Sequence, residues 1–251
     1  LGFAMAKTEN GNHQFTSSLA FANVRGDARG AEAVLNFNIE SGETVMATAE
    51  NHGLQRLMTN LIKRHLEPES GFLAFGGGDV RDTDTHALRQ DIIVLDRPTI
   101  IEMTMRDYLT LSARDPNPQE ILHAIKAVGL GPVIAGLEDG LDTHLATTGW
   151  PLSISETMQL KLAGALLAHP RLLVLTQLFD LVAETCLKGA IDTLKKDLGV
   201  TTIYFSNRRR DIGFETFLYL GMEKQHIVHS YAEFASLAYR EPAAVTQLRK
   251  A

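Results

Sequence analysis

The residues best placed to do chemistry in this chain lie in a strand–turn–helix pattern near its start. The stretch GETVMATAENHGLQRLMTNLI, residues 42–62, predicts a strand over Glu43–Thr48, a polar turn, and a helix over Gly53–Ile62. That is the layout of a phosphate-binding loop, in which backbone N–H groups converge on an anion at a helix N-terminus. The turn has one glycine and no lysine. The pattern alone fits both a nucleotide site that has lost its chemistry and an ordinary α/β connection.

The other reactive side chains predict no second site. Nine histidines are scattered without metal-ligand spacing, and Asp79, Asp82 and Asp84 form a loose acidic run that is typical of a solvated loop. Cys186 is the only cysteine, so an intramolecular disulfide is excluded. The basic run Arg208–Arg210 is also typical of a solvated loop. We predict no metal site.

Composition excludes several classes of function. A net charge of -6 argues against a non-specific nucleic-acid binder, and we expect no nucleic-acid partner. The longest apolar stretch, around Leu160–Leu175, is interrupted by charged residues and proline, whereas a bilayer span needs roughly 20 apolar residues. The chain begins with Leu1 instead of methionine, which suggests a fragment of a longer protein.

The elements that must position these residues alternate between strand and helix. Ser153 and Glu156 are spaced as a capping box for a long helix that Pro170 ends, and the apolar run after it is typical of a buried parallel strand. Strands are predicted at 18–24, 34–39, 71–75, 91–95, 171–175 and 201–206, with a terminal hairpin of 217–221 and 226–230. Helices are predicted at 103–113, 118–128, before Asp142, and at 186–198.

This pattern predicts an α/β fold with a mixed sheet. We expect a linker or disordered arm over residues 1–17, one domain over residues 18–240 and a C-terminal tail over residues 241–251. A helical insert of about residues 97–160 is predicted to interrupt the α/β core.

Four blocks of the sequence, in order and at matching spacing, resemble the nucleotide-binding domain of ATP-binding cassette (ABC) transporters. They cover the strand–turn–helix in the place of the Walker A loop, a Q-loop block, a signature-helix block running into the Walker B strand, and a strand ending at the switch histidine. The blocks are residues 42–62, 70–109, 140–177 and 201–210. The resemblance extends over roughly residues 16–238, and TMRDYL (104–109) is similar to the exporter-type subset. It implies a P-loop NTPase-like mixed sheet core with an antiparallel β subdomain and an inserted α-helical subdomain.

The resemblance also identifies the candidate nucleotide-binding residues, which are Gly53, Gln55, Arg56 and Leu57. Gln55 stands at the position of the lysine and carries no charge. Arg56 stands at the hydroxyl that would ligate Mg²⁺, where a cation repels the metal, and the apolar Leu57 offers no substitute. The loss of one charge-assisted contact costs ~2 kcal/mol, so several losses predict that Mg-ATP does not bind tightly. ATP and Mg²⁺ are ligands that the resemblance alone implies.

The catalytic positions have changed as well. Thr176 and Gln177 stand at the aspartate and the glutamate of the Walker B strand, Asn207 at the switch histidine, and Asp96 at the Q-loop glutamine. Neither Thr176 nor Gln177 can accept a proton from water at neutral pH, so the general base of the Walker B strand is missing. Ser153 matches the signature serine, whose hydroxyl could reach a nucleotide held by a partner, or it could simply cap its helix.

These changes predict a degenerate nucleotide-binding domain, a pseudo-ATPase whose activity is absent or very weak. The resemblance implies a structural or regulatory half of a membrane transport assembly at the cytoplasmic face. Its partners would be a transmembrane domain and a second nucleotide-binding domain. Two alternatives stay open: an ATPase that uses Arg56 as its cation, with Asp96 or Glu50 near the metal, and a soluble interaction module that reuses the fold. Six apolar spans encoded upstream would identify a fused exporter.

Overall fold

The structure is a computed structural model that describes residues 18–113 and 116–239. The predicted N-terminal arm and C-terminal tail lie outside these residues. The strands are β1 (Leu19–Asp27), β2 (Glu32–Ile39), β3 (Thr44–Ala49), β4 (Ser70–Phe75), β5 (Gly78–Asp79), β6 (Ile92–Leu95), β7 (Met103–Thr104), β8 (His144–Leu145), β9 (Leu172–Leu175), β10 (Thr201–Phe205), β11 (Thr216–Leu220) and β12 (Gln225–Val228). The helices are α1 (His52–Ile62), α2 (Thr85–Asp91), α3 (Met105–Leu111), α4 (Pro118–Ala127), α5 (Gly131–Ala135), α6 (Ile154–Ala168), α7 (Glu184–Leu198) and α8 (Tyr231–Ala238).

A six-stranded mixed sheet forms the centre of the fold, in the order β12-β11-β3-β10-β9-β6. The five strands from β11 to β6 are parallel, and β12 pairs with β11 antiparallel. A separate antiparallel sheet has the order β2-β1-β4-β5. The predicted α/β fold, with its mixed sheet and antiparallel subdomain, is therefore confirmed.

Two apolar cores lie on the two faces of the mixed sheet. Successive side chains of a strand point to opposite faces. On β3, Met46 accordingly joins the core shared with the helices α3 to α7, while Val45 and Ala47 join the core shared with α1 and the antiparallel sheet. A fully buried leucine or phenylalanine in either core contributes ~1.5–3 kcal/mol.

The helix α6 is buried on nearly every side because it lies between the mixed sheet and the helices α3, α4 and α7. The predicted capping box at its start is present, since Ser153 Oγ accepts from the N–H of Glu156 and the Glu156 carboxylate accepts from the N–H of Ser153. The helix ends at Ala168, and His169 follows in the left-handed conformation at φ 50° just before Pro170.

Several predicted elements were wrong in detail. Asp91 ends the helix α2, which the sequence reading missed together with α8. Met103 begins a two-residue strand that pairs with β8, and the predicted helix starts only at Met105, because Thr104 caps it. The bounds of these short elements depend on strand pairing and helix capping, and hydrophobic periodicity does not indicate either.

Candidate functional site

The candidate residues gather where parallel strands end side by side. Leu95 of β6 pairs in register with Leu175 of β9, and β10 lies between β9 and β3. The residues that follow these strands therefore meet at one edge of the sheet, which is where ligands bind in open α/β folds. An open cleft of about 980 Å³ lies there, and Gln55, Arg56, Asp96, Thr176 and Gln177 all line it.

The two glutamines of the cleft are bonded to each other. The amide nitrogen of Gln55 donates to Gln177 Oε1 at 3.0 Å, and the amide nitrogen of Gln177 donates to Gln55 Oε1 at 2.6 Å. Gln55 is buried and Gln177 half-buried. We call this reciprocal pair the glutamine clasp. It uses one donor and one acceptor of each amide, and because both side chains are neutral, neither presents a charge to the cleft.

The N–H groups of the turn before α1 donate hydrogen bonds within the protein. The N–H of Leu54 donates to the side chain of Asn51 at 3.0 Å, which caps the helix, and the N–H of Glu50 donates to the carbonyl of Leu220 at 2.8 Å. The Glu50 carboxylate in turn accepts from the N–H of Met222 at 2.7 Å. Two of the donors that a phosphate loop would offer to an anion are therefore already bonded within the protein.

Two of the predicted binding residues do not line the cleft. Gly53 is buried, and a Cβ atom at this position would lie 2.9 Å from the carbonyl oxygen of Ala28 in the β1–β2 turn. Leu57 is buried in the core between α1 and the antiparallel sheet, where its methyl groups pack against Gly26. Both residues hold α1 against that sheet.

The oxygen donors of the cleft do not fit a magnesium ion, the metal that the family resemblance implies. Mg²⁺ requires oxygen ligands, usually one or two carboxylates. Asp96 is paired with the ammonium group of Lys63 at 2.6 Å, and the hydroxyl of Thr176 donates to the carbonyl of Leu95 at 3.1 Å. The remaining amide oxygens are held by the glutamine clasp.

The segment after β10 is tied to the segment after β9 through Asp180. Its carboxylate accepts from the hydroxyl of Tyr204, from the hydroxyl of Ser206 at 2.7 Å and from the N–H of Asn207 at 2.9 Å. Burial, together with the hydrogen bond to Asp180, raises the pKa of Tyr204 well above its usual range. Asn207 itself does not line the cleft.

The run Arg208–Arg210 lies in a loop whose Arg209 and Arg210 are exposed, as predicted, whereas Arg208 departs from the prediction. The side chain of Arg208 is only 13% exposed and donates to the carbonyls of Asp180 at 2.9 Å and Val182 at 2.7 Å. Arg210 pairs with Glu184 at 2.5 Å. The sequence did not indicate the burial of Arg208, because its acceptors are backbone carbonyls 26 and 28 residues away along the chain.

Ser153 lies at the start of α6, outside the cleft, and its hydroxyl is used in the capping box. Near it, Trp150, Ile154 and Leu181 are exposed apolar side chains, and the hydroxyl of Ser155 donates to the carbonyl of Leu181 at 2.9 Å. We call Trp150, Ile154 and Leu181 the apolar patch.

Sequence reasoning missed three cations that line the cleft, namely Arg29, Lys63 and Arg97. Lys63 follows Arg56 by seven residues, two helical turns, and this spacing could have identified it. Arg29 comes from the β1–β2 turn, and no motif or spacing in the sequence indicated that it lines the cleft. Within residues 18–113 and 116–239 there is no group of three or more histidine, cysteine or acidic residues placed to hold a metal ion. None of the helices in these ranges is long and apolar enough to span a membrane.

Sequence comparison finds relatives among transport proteins. The chain is 29% identical over 180 residues to the ABC-type transporter fsqE of Aspergillus fumigatus, an alignment that covers 69% of this chain and 14% of that protein. It is 28% identical over 200 residues to a putative multidrug export ATP-binding/permease protein of Staphylococcus aureus, covering 78% of this chain and 34% of that protein. No protein-family model matches the chain.

Structure comparison finds the same fold in a bacterial Atm1-family ABC exporter with ATP bound. The TM-score is 0.77 at 22% sequence identity, over 91% of this chain and 43% of that chain. The resemblance stated from the sequence motifs is therefore confirmed at the level of homology and fold. The chain spans less than half the length of each of these proteins.

Proposed function

We propose that this chain, a homologue of ABC transporters with the fold of an ABC exporter's ATP-binding domain, is a pseudo-ATPase subunit or domain of such a transporter. The observation that carries the proposal is the glutamine clasp. It joins the position of the phosphate-loop lysine to the position of the general base, and both groups are neutral amides. Without the lysine contact to the phosphates and without a base, hydrolysis loses two main protein contributions.

The state of the neighbouring groups supports the same proposal. Asp96 is neutralised by Lys63, and Glu50 is bonded to the backbone of Met222. These were the two carboxylates that an ATPase with non-standard residues would have used near a metal. Because both carboxylates already have partners, they favour a domain that keeps the fold but does not hydrolyse ATP.

The assay is release of phosphate from Mg-ATP by the full 251-residue chain. We expect a signal at background, unchanged in Arg56→Ala and in Gln177→Ala. Mg-dependent release that Arg56→Ala abolishes would refute the pseudo-ATPase and establish the ATPase with non-standard residues. A thermal melt of each variant checks that the domain is still folded.

The chain would then act as a structural or regulatory half of a transport assembly at the cytoplasmic face of a membrane. It would dock on a transmembrane domain, encoded upstream or on a separate chain, and face a second nucleotide-binding domain. The S. aureus relative is named as an ATP-binding/permease protein, and this chain matches 34% of it. That proportion supports a role as one part of a longer or larger transporter.

The apolar patch supports the contact with a second domain. Trp150 is 70% exposed, Ile154 53% and Leu181 57%, which is unusual for three large apolar side chains at one place. Trp150 is the only tryptophan, so its fluorescence reports on this surface alone. A blue shift on addition of the second domain, lost in Ile154→Ser, would support the contact, and an unchanged spectrum in the assembled transporter would refute it.

A further inference from the structure

The cleft has a charge opposite to that of the protein. Four cationic side chains line it, from Arg29, Arg56, Lys63 and Arg97, and Asp96 is the only acidic residue in the lining. The formal charge of the lining is therefore +3 with histidines neutral, in a chain whose net charge is -6. Two histidines, His52 and His65, lie in the same lining. A concave surface of one sign concentrates counter-ions far more than isolated surface charges do.

Three of these cations have no partner among the described residues. The side chains of Arg29, Arg56 and Arg97 make no hydrogen bond or ion pair with residues 18–113 or 116–239, whereas Lys63 is paired with Asp96. Most other arginine side chains in the same ranges are paired, for example Arg81 with Asp79 and Arg106 with Asp142. Three of the five guanidinium groups without such a partner in these ranges therefore line one cleft, and the other two belong to Arg89 and Arg209.

The chemistry of that place fits a compact anion with several oxygens. A guanidinium group is a planar fork that binds phosphate oxygens through two parallel hydrogen bonds. Three such forks come from three separate segments, namely the β1–β2 turn, the face of α1 and the loop after β6. A cleft of about 980 Å³ is of the size that takes small ligands.

We propose that the cleft binds an oligophosphate, free or as the phosphate tail of a nucleotide, without a divalent cation. The inference rests on the proposed function, because the glutamine clasp and the pairing of Asp96 leave no ligand set for Mg²⁺ in the same cleft. Arg56 and its neighbours supply the positive charge that a metal would otherwise bring. Because Mg²⁺ neutralises part of the charge of an oligophosphate, the metal complex should bind more weakly than the free anion.

The test is titration calorimetry of the full chain with inorganic tripolyphosphate, in EDTA and in excess Mg²⁺ at equal ionic strength. We expect saturable one-site binding in EDTA and at least about tenfold weaker binding in Mg²⁺. Arg56→Gln and Arg97→Gln should each weaken binding in EDTA by about thirtyfold, which is the effect of losing one charge-assisted contact. Titration with ATP in EDTA identifies the source of the anion: equal affinity indicates the phosphate tail alone, and tighter binding indicates a nucleotide.

Arg106→Gln is the matched control, because it removes the same charge from an exposed ion pair outside the cleft. It should leave the affinity unchanged. Absence of saturable binding in EDTA, binding that requires Mg²⁺, or equal losses in Arg106→Gln and Arg56→Gln would each overturn the inference. The hydrolysis assay is independent, so a chain that binds no oligophosphate and hydrolyses no ATP would refute this inference and leave the pseudo-ATPase intact.

Discussion

Asp180 offers the sharpest test of how the edge of the sheet is held together. Its side chain is 20% exposed and joins the segment after β9 to the hydroxyls of Tyr204 and Ser206 and to the N–H of Asn207. The guanidinium of Arg208 lies 3.5 Å from the same carboxylate. Asp180→Ala removes all of these acceptors at once and leaves no space for a bulk water layer around Tyr204 and Ser206, both 0% exposed.

The expected loss of stability follows from the groups that are left unsatisfied. Each buried hydroxyl without a partner costs ~1–3 kcal/mol. Arg208 keeps two backbone carbonyls and the carboxylate of Glu184 at 3.4 Å, so its lost contact with Asp180 costs less than the unsatisfied hydroxyls do. These costs overlap, so we expect Asp180→Ala to lower the free energy of unfolding by about 3–5 kcal/mol, or Tm by about 10 °C for a domain of this size. Asp180→Asn keeps an acceptor and should lose roughly half as much.

Urea denaturation followed by circular dichroism measures the change. Asp142→Ala is the control, because its carboxylate pairs with Arg106 in a bridge whose two side chains are 63% and 50% exposed, and it should leave the unfolding midpoint unchanged. A loss below about 1 kcal/mol in Asp180→Ala would contradict the reasoning, since it would mean that Tyr204 and Ser206 find water or other partners.

Three further measurements test individual features. Burial raises the pKa of Tyr108 to about 12, so the contribution of this side chain to stability is complete below about pH 10 and is lost as the pH rises towards 12. The free energy of unfolding should therefore fall less steeply between about pH 10 and pH 12 in Tyr108→Phe than in the unmodified chain. Parallel curves of unfolding free energy against pH would contradict this. A double-mutant cycle of Gln55→Leu and Gln177→Leu should give a coupling of about 1 kcal/mol in urea denaturation, whereas additive losses would mean that the glutamine clasp does not form in solution. Ser153→Ala should cost ~1 kcal/mol through the lost cap and Ser153→Asp should cost less, with tripolyphosphate affinity unchanged in both; a change in affinity would return Ser153 to the binding site.

The sequence was sufficient to predict the elements that depend on the pattern of apolar residues. The run before Thr176 was predicted as a buried parallel strand and lies inside the sheet, and the capping box at Ser153 was correct. These features are local, so spacing alone specifies them. Long-range pairing is different: nothing in the order of residues indicates that Gln55 and Gln177, 122 positions apart, bond to each other.

The cations of the cleft illustrate the same limit. Arg56 was singled out from the motif, but Arg29 lies in a turn of the antiparallel sheet that only the tertiary fold brings to α1. Leu122 is apolar but 61% exposed, because the packing of α4 against α6 is set by Ile121, Ala124 and Ile125 instead. Periodicity predicts that a helix has an apolar face, but the packing of the neighbouring helix decides which residues of that face are buried.

The contact between Gly53 and Ala28 has a consequence for directed evolution of this chain. Because a Cβ atom at position 53 would lie 2.9 Å from the Ala28 carbonyl, position 53 cannot accept a side chain while the β1–β2 turn stays in place. Asn51 adds to this constraint, since its side chain holds the N–H of Leu54. A library intended to restore ATP turnover should therefore diversify residues 28–31 together with residues 49–56, because any side chain introduced at position 53 would otherwise clash with the Ala28 carbonyl.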